Sequence, residues 1–537
     1  MGPPDNPDQE FDIAIVGYGP TGLALAQWLG AKGHKVVAVE RWPNLYALPR
    51  AGHVDGEIAR YFQKIGIGEK IVSESSVIGQ TVLRNADGEL LAKITAEPSD
   101  QGWASHYSLF QPTLEIELDA RVRETGNVTV CQGWEVQNIE NDGQRVILTA
   151  ASGDGGDGNW RPTGKTMNVS AKWLIGADGA NSIVQQHLGS EVEDLGFASR
   201  ALVVFAERLD AAAGADMPDS EVNMVLSRPY VAFRESGKRY ARWEFHVHAA
   251  ETDEEISTVE KAWELIEPWG FTPRNARLIR HSLYQFRTLL VKDWRKGNVL
   301  LAGDAAHRMP PFQGQGMCGG LRDAEALGWR LDLILRGQAD ATLLDSYTPE
   351  RRPHVYQLTE ISASRGRDFW LTDAESARKR DAQIARFYAQ ADNPPIYGEV
   401  PCLNDGVLAR GETGVAAPAG RLSPQFVASH GGETRRLDDF VGINWSLLLA
   451  DGELEHALDA GNRSMLGRIG AKVITLGREG SGADYIDVSG DYGRWFEAVG
   501  CTALLVRPDA YTFGVASDAP SLNAMLRDLA DQLCLRD

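Results

Sequence analysis

Apolar residues along this chain follow two different periods. FDIAIV (11–16), HKVVAVE (34–40), WLIGA (173–177) and NVLLAGD (298–304) are near-continuous apolar runs that end on glycine, alanine or an acid. Such runs are strands covered on both faces, as in a parallel sheet. The first leads into LALAQWLGAKG, with apolar residues at helical spacing; the last leads through a Pro/Gly-rich loop to a helix predicted from about Leu321 to Arg336. RALVVFAERL and RYARWEFHVH instead alternate, the period of antiparallel strands with one wet face. From about 340 to 400 the pattern is helical and charged, and a Pro/Gly-rich passage from Asn393 to about Arg421 reads as a linker. Beyond it WSLLLADG, AKVITLG, YIDVSG, ALLVRPDAYTFGVA and SLNAMLRDLADQLC alternate strands and helices in a small α/β unit. SGDGGDGNWRPTGK (152–165) reads as a glycine-rich surface loop between strands.

The turn after the first strand is Gly17-Tyr-Gly19-Pro20-Thr21-Gly22. A dinucleotide-binding turn needs these glycines: the backbone turns at the first, approaches a pyrophosphate at the second, and lets helix and strand pack at the third. Glu40 ends the second strand 23 residues after Gly17, where an acid binds ribose hydroxyls. The fingerprint indicates an adenine dinucleotide and does not by itself separate FAD from NAD. Asp178 and Asp304 end two further strands, so both can face the same crevice, although a strand-terminal Asp also serves as a turn or helix cap.

Composition narrows the class. At 537 residues the chain suggests two to four domains. Its net charge of −20, without long runs of one sign, argues against nucleic acid or anionic membrane as main partner. Five scattered cysteines show no metal or CxxC spacing, so no metal is expected and the thiols read as reduced. MGPPDNPDQE lacks the features of an export leader, and no run of eighteen apolar residues occurs, so a cytoplasmic enzyme is the expectation.

With the three strand-terminal motifs in this order, the chain resembles the class A flavoprotein aromatic hydroxylases, in particular the 3-(3-hydroxyphenyl)propionate hydroxylase group and the phenol hydroxylase branch. Pro49-Arg50-Ala51, Asp55, Phe110-Gln111-Pro112, Arg228-Pro229-Tyr230, LLAGDAAH (300–307), Gln313-Gly314-Gln315-Gly316, Glu350-Arg351-Arg352 and Val506-Arg507-Pro508-Asp509 extend the likeness over nearly the whole chain. The resemblance implies an α/β fold: an FAD-binding doubly wound unit of the para-hydroxybenzoate hydroxylase type from residues 1–75, 106–189 and 291–395, and an antiparallel-sheet substrate domain from 76–105 and 190–290. A linker over 396–421 and a thioredoxin-like domain over 422–537 complete it. It also implies that Gly17, Gly19, Pro20, Thr21 and Gly22 cradle the FAD pyrophosphate, that Glu40 and Arg41 hold the adenosine, and that Arg50 and Gln111 meet the cofactor midway. Asp178 belongs to a motif serving both FAD and the reduced nicotinamide; Gln185 stands where that motif usually has Arg. Gly303 and Asp304 meet the ribityl chain, and Pro310, Gly314, Gln315, Gly316 and Met317 lie along the isoalloxazine ring.

The implied reaction uses NADH or NADPH and O2, with hydroxylation of a phenol ortho or para to its hydroxyl through a flavin C4a-hydroperoxide. A 3-(3-hydroxyphenyl)propionate-like acid is the leading substrate; a larger natural product, such as an aromatic polyketide, is the alternative. A group that takes the phenolic proton should lower the barrier. Asp55 is the candidate, with a helix cap before GEIARYFQKIG as its other reading, while His53 reads as structural. Tyr230 and Tyr284 are candidates beside the substrate or core residues. Arg234, Arg239 and Arg242 are candidates for a substrate carboxylate, or solvated strand arginines. The resemblance leaves a homodimer open. A binding protein without oxygenase activity is the reading from a different class.

Overall fold

Ile13, Ala14, Ile15 and Val16 are buried because their strand, Glu10–Val16, lies in the middle of a sheet. Val36–Glu40 and then Val128–Gln132 pair parallel on one side, Arg161–Gly176 and then Val299–Leu301 parallel on the other. Helix Pro20–Ala31 packs against helix Gln315–Leu335, where a Cβ on Gly328 would come within 2.6 Å of the Trp28 ring. The carboxyl ends of the parallel strands bring Gly17, Glu40, Asp178 and the Gly303-Asp304 turn to one edge.

This computed structural model describes residues 10–96, 98–155, 160–390, 400–412 and 414–536. The leader reading on 1–9, residues 156–159 of the glycine-rich loop and 393–399 of the Pro/Gly-rich passage lie outside the described residues.

The second sheet has eight strands. Val192–Arg208 pairs antiparallel with Ala276–Val291 and with Tyr240–His246, and the sheet continues through Tyr230–Phe233, Ser220–Asn223, Gln80–Arg84 and Leu90–Thr95. Trp243 and Phe245 point into an apolar core with Phe271 and helix Val259–Ile266. The alternating pattern predicts a wet face opposite, and here the structure differs: Arg242 and Glu244 on that face are buried too. Their polarity marks a cavity wall, which alternation cannot distinguish from a solvated surface.

Residues 424–536 add a seven-stranded mixed sheet with helices, including Ala519–Gln532. It is joined to the rest through buried ion pairs: Arg60 with both oxygens of Asp438, at 2.6 and 3.0 Å, and Arg507 with both oxygens of Glu350, at 2.7 and 2.8 Å. The Pro/Gly-rich passage is not an extended linker over residues 400–412. Leu403, Val407 and Leu408 are buried, and the Ala409 N–H donates to the Phe513 carbonyl at 2.8 Å. The helix expected from Leu321 starts six residues earlier, at Gln315, which puts Gly316 and Met317 in its first turn.

Candidate active site

A long cleft runs along the carboxyl edge of the first sheet. Gly17 has φ +100°, and a Cβ there would lie 2.2 Å from the Ala177 carbonyl oxygen; one on Gly22 would lie 2.1 Å from the Gly17 carbonyl oxygen. A Cβ on Gly19 would meet nothing within 4 Å, because Gly19 faces the open cleft where helix Pro20–Ala31 begins. That leaves free first-turn N–H groups and the positive end of the helix for a pyrophosphate. Glu40 accepts from the Tyr18 N–H at 2.8 Å and the Trp42 N–H at 3.0 Å, and with Arg41 and Asp178 lines a cavity of about 380 Å³. Asp178 is also the cap of its own turn, accepting from the Ile183 N–H at 2.8 Å and from the Ser182 hydroxyl. Burial pushes its carboxyl up despite those bonds. Gln186, rather than Gln185, faces this cavity.

The second stretch, about 240 Å³, shares Gly19, Arg50, Ala177 and Gly179 with the first, so the two are continuous. Thr21, Gln111, Tyr284, Asp304, Pro310, Gly314, Gly316 and Met317 line it. The Gln111 side-chain oxygen accepts from the backbone N–H groups of Arg50 and Ala51, at 3.0 and 2.6 Å, while its amide donates to Glu115 at 2.7 Å. Burial raises the Glu115 carboxyl to about 7. Gly303, at φ +61°, donates its N–H to Asp323 at 3.0 Å, and Asp323 is held in turn by His307 at 2.7 Å and Arg351 at 2.9 Å. This buried brace aims the exposed Asp304 into the cleft. The open Gly19 cradle, the acid at one end and the glycine-lined helix start at the other fit an extended FAD.

A third cavity of about 310 Å³ lies between the second sheet and helices Tyr347–Phe369 and Ala374–Gln390, and shares His53, Arg242, Pro311 and Gly314 with the second stretch. His53 is therefore at the junction, a position that its sequence context, read as structural, did not reveal. Its Nδ1 is 3.3 Å from the Gly314 carbonyl oxygen and its Nε2 3.2 Å from His106 Nδ1. Burial lowers both imidazoles, His106 to about 3.

Other expected residues fall elsewhere. Asp55 lines none of these cavities; it caps helix Gly56–Lys64 through the Ile58 N–H at 3.1 Å, and pairs with Arg322 at 2.5 Å and Gln315 at 3.0 Å. Desolvation raises its carboxyl, but Arg322, His53 and Gln315 outweigh it and hold the group down to about 2. A carboxylate so fully engaged is a poor proton acceptor, so its cap reading is the one with geometric support. The Gln315 side chain likewise turns away from the cleft, toward Asp55 and Arg322. Tyr230 lines none of these cavities; its hydroxyl accepts from Asn223 at 2.9 Å and its ring meets Trp269 edge-on at 5.0 Å, a packing role. Tyr284 does face the cleft. Arg234 pairs with Asp219 and the exposed Arg239 with Glu207, leaving Arg242 as the arginine of the three at the cavity.

Among the described residues no group of three or more His, Cys, Asp and Glu is placed to hold a metal, and no helix is long and apolar enough to cross a membrane. The model of the FAD binding domain family matches residues 10–362, and that of the HcaD C-terminal domain residues 420–532. Similar proteins include a probable NADH-specific resorcinol 4-hydroxylase of Rhodococcus jostii (strain RHA1), 36% identical over 98% of this chain and 96% of its own. A 3-(3-hydroxy-phenyl)propionate/3-hydroxycinnamic acid hydroxylase of Comamonas testosteroni is 28% identical over 97% and 96%. Among solved structures, the flavin-dependent monooxygenase PieE, in complex with FAD and substrate, has the same fold with a TM-score of 0.79 over 98% of this chain and 100% of that one, at 22% identity.

Proposed function

The chain belongs to the FAD binding domain family and, within it, to the class A flavoprotein aromatic hydroxylases; from that premise we propose that it adds one atom of O2 to a phenolic ring, ortho or para to the hydroxyl, with FAD as cofactor and NADH as reductant. The observation that carries this reading is the junction: the cleft that fits FAD opens through His53, Arg242 and Gly314 into a separate, partly apolar cavity. When bound, FAD supplies hydride acceptance and oxygen activation.

The chain's own residues supply position and proton handling. Gly17, Gly19, Pro20, Thr21 and Glu40 hold the adenosine diphosphate arm with Arg41 and Asp178. Arg50, Gln111 and Asp304 hold the middle, and the first-turn N–H groups around Gly316 and Met317 face the ring and favour negative charge there. His53 replaces Asp55 as the group that takes the phenolic proton: its lowered pKa keeps it neutral and able to accept near pH 7, and the His106 ring, 3.2 Å away, fixes its orientation. Tyr284 lies along the cofactor. The C-terminal sheet, with its parallel Ser446–Leu449 and Lys472–Gly477 pair and antiparallel Ala503–Val506 and Thr512–Ala516 hairpin, supports a thioredoxin-like reading.

A panel of phenols tested with NADH and with NADPH provides the test. Substrate-stimulated NADH oxidation, matched O2 uptake and a product heavier by one oxygen are expected. Flavin-loaded protein with no stimulated turnover on any phenol would reject the reading.

A further inference from the structure

The cavity beyond His53 is floored by two registered rows of side chains that cross the second sheet. In one row Arg242 faces Phe233, Phe233 faces Ser220, Ser220 faces Thr81 and Thr81 faces Ile94. In the other Glu244 faces Val231, Val231 faces Val222 and Val222 faces Leu83. Every one of these residues lines the cavity. The rows cross neighbouring strands from Tyr240–His246 to Leu90–Thr95. With adjacent strands about 4.8 Å apart, the floor is roughly 19 Å long.

The rows give the cavity a charged end and an apolar end. Arg242, shared with the FAD cleft along with His53 and Gly314, marks the mouth. There Arg242 and Glu244 form an ion pair with each other inside the wall. Farther along, the floor is Phe233, Val231, Val222, Leu83 and Ile94, all buried, interrupted by the small hydroxyls of Ser220 and Thr81. From the opposite side Phe369, Ile384 and Tyr388, on helices Tyr347–Phe369 and Ala374–Gln390, pack against the same apolar cluster. Arg365 and Asp368, which also line the cavity, are opposite in sign and add no net charge.

Size and lining together define what fits. A cavity of roughly 150 Å³ is enough for one benzene ring. The volume here is about 310 Å³, so a phenol ring at the mouth leaves room for a second group of similar size along the floor. Walls of this kind offer water few hydrogen-bond partners, and each methylene they cover favours binding by about fourfold. Resting on the hydroxylase reading above, we infer that the rows from Phe233 and Val231 to Ile94 and Leu83 are a subsite for an uncharged apolar arm on the substrate ring, about as large as the ring itself. The reacting hydroxyl lies at His53, and Val222, midway along the floor, sets how long an arm is accepted.

The test measures kcat/KM, from hydroxylated product, for phenol and for 3- and 4-alkylphenols with ethyl and pentyl arms on the FAD-loaded wild type. It also compares 3-(3-methylbutyl)phenol with 3-(3-hydroxyphenyl)propionate, whose arm has the same shape but carries a charge. In the better of the two ring positions the pentyl arm should exceed phenol by at least about tenfold, and the methylbutyl arm should exceed the propionate by at least about tenfold. Val222→Phe should abolish the pentyl advantage and leave phenol within about threefold. If that variant does not retain flavin, Ile384→Trp shortens the subsite from the helix side and is read in the same way. A pentyl arm no better than none, a preference for the propionate, or a variant that lowers phenol and pentylphenol alike would overturn the subsite and leave the hydroxylase reading intact. If the flavin-loaded wild type hydroxylates none of these phenols, both fall together.

Discussion

Gly314 leaves the space that His53 occupies: a Cβ at position 314 would lie 2.6 Å from His53 Nδ1, and the Gly314 φ of +64° is one that residues with side chains rarely adopt. The two are 261 positions apart in the chain, and both line the second stretch of the cleft and the third cavity where these meet. Gly314→Ala should therefore displace the imidazole and strain the turn by about 1–2 kcal/mol. Substrate-stimulated NADH oxidation should fall at least about tenfold, a loss that stopped-flow rates with bound flavin would separate from simple loss of cofactor.

His53→Gln should lower kcat by about 10²–10⁴, the usual contribution of a positioned base. Its pH profile is the sharper readout. In the wild type the acid limb should lie below the ordinary histidine value of 6.5, because burial lowers the His53 pKa. In the variant that limb should vanish and the rate should climb with pH as the phenol itself ionises. An unchanged profile would exclude His53 as the proton acceptor.

Asp55→Asn should act on stability rather than on chemistry. It removes the negative partner 2.5 Å from the buried Arg322, although Glu57 remains at 2.7 Å. Breaking a buried pair costs about 3 kcal/mol, read as a lower midpoint in urea. Turnover per bound flavin should stay within tenfold of wild type. A folded, flavin-loaded variant more than a hundredfold slower would return the proton-acceptor role to Asp55.

Arg507→Ala should loosen the C-terminal unit. Arg507 and Arg330 together neutralise Glu350, and all three side chains are fully buried. Removing Arg507 leaves Glu350 with Arg330 as its one ion-pair partner among the described residues and takes the bidentate bond across the junction, for about 3–5 kcal/mol. Differential scanning calorimetry should show the transition moving down, and proteolysis should cut nearer residues 400–421.

Stability should decline in mild acid. His106 falls from 6.5 to about 3 on folding because burial disfavours its cation, so the unfolded chain binds the proton first. Its contribution is whole above pH 6.5 and diminishes as pH falls toward 3, by at most about 1.4 kcal/mol per pH unit for one proton. Asp55, held to about 2, adds its own loss only as pH falls below its ordinary 3.8. Urea midpoints at pH 7.5 and 5.5 should therefore differ, and His106→Gln should narrow the difference. Equal slopes in wild type and variant would count against the buried neutral imidazole.

What could be read directly from the residues was local. Gly17, Gly19, Gly22 and Glu40 belong to one strand–turn–helix–strand unit of about thirty residues, whose geometry follows from backbone sterics and buried apolar runs. Asp178 and Asp304 follow from the same logic, since each ends a buried strand and the carboxyl edge of a parallel sheet gathers such ends. The helix start at Gln315 was harder, because Gly316, Gly319 and Gly320 disguise a first turn that close packing requires: a Cβ on Gly320 would lie 2.2 Å from the Thr21 hydroxyl.

Tertiary structure alone decided which polar groups face the cavities. Asp55 and His53 sit two residues apart on one short strand, yet one is locked to Arg322, 267 positions away, and the other lines the third cavity. Alternation along Tyr240–His246 identifies Arg242 and Glu244 as sharing a face and cannot say whether water or helix Ala374–Gln390 covers it. Period reports direction relative to a strand, whereas burial, pairing and charge cancellation depend on segments that meet only when the chain is folded. The chain's net charge of −20 thus describes its surface, and the neutral balance at Arg242 and Glu244 belongs to the fold.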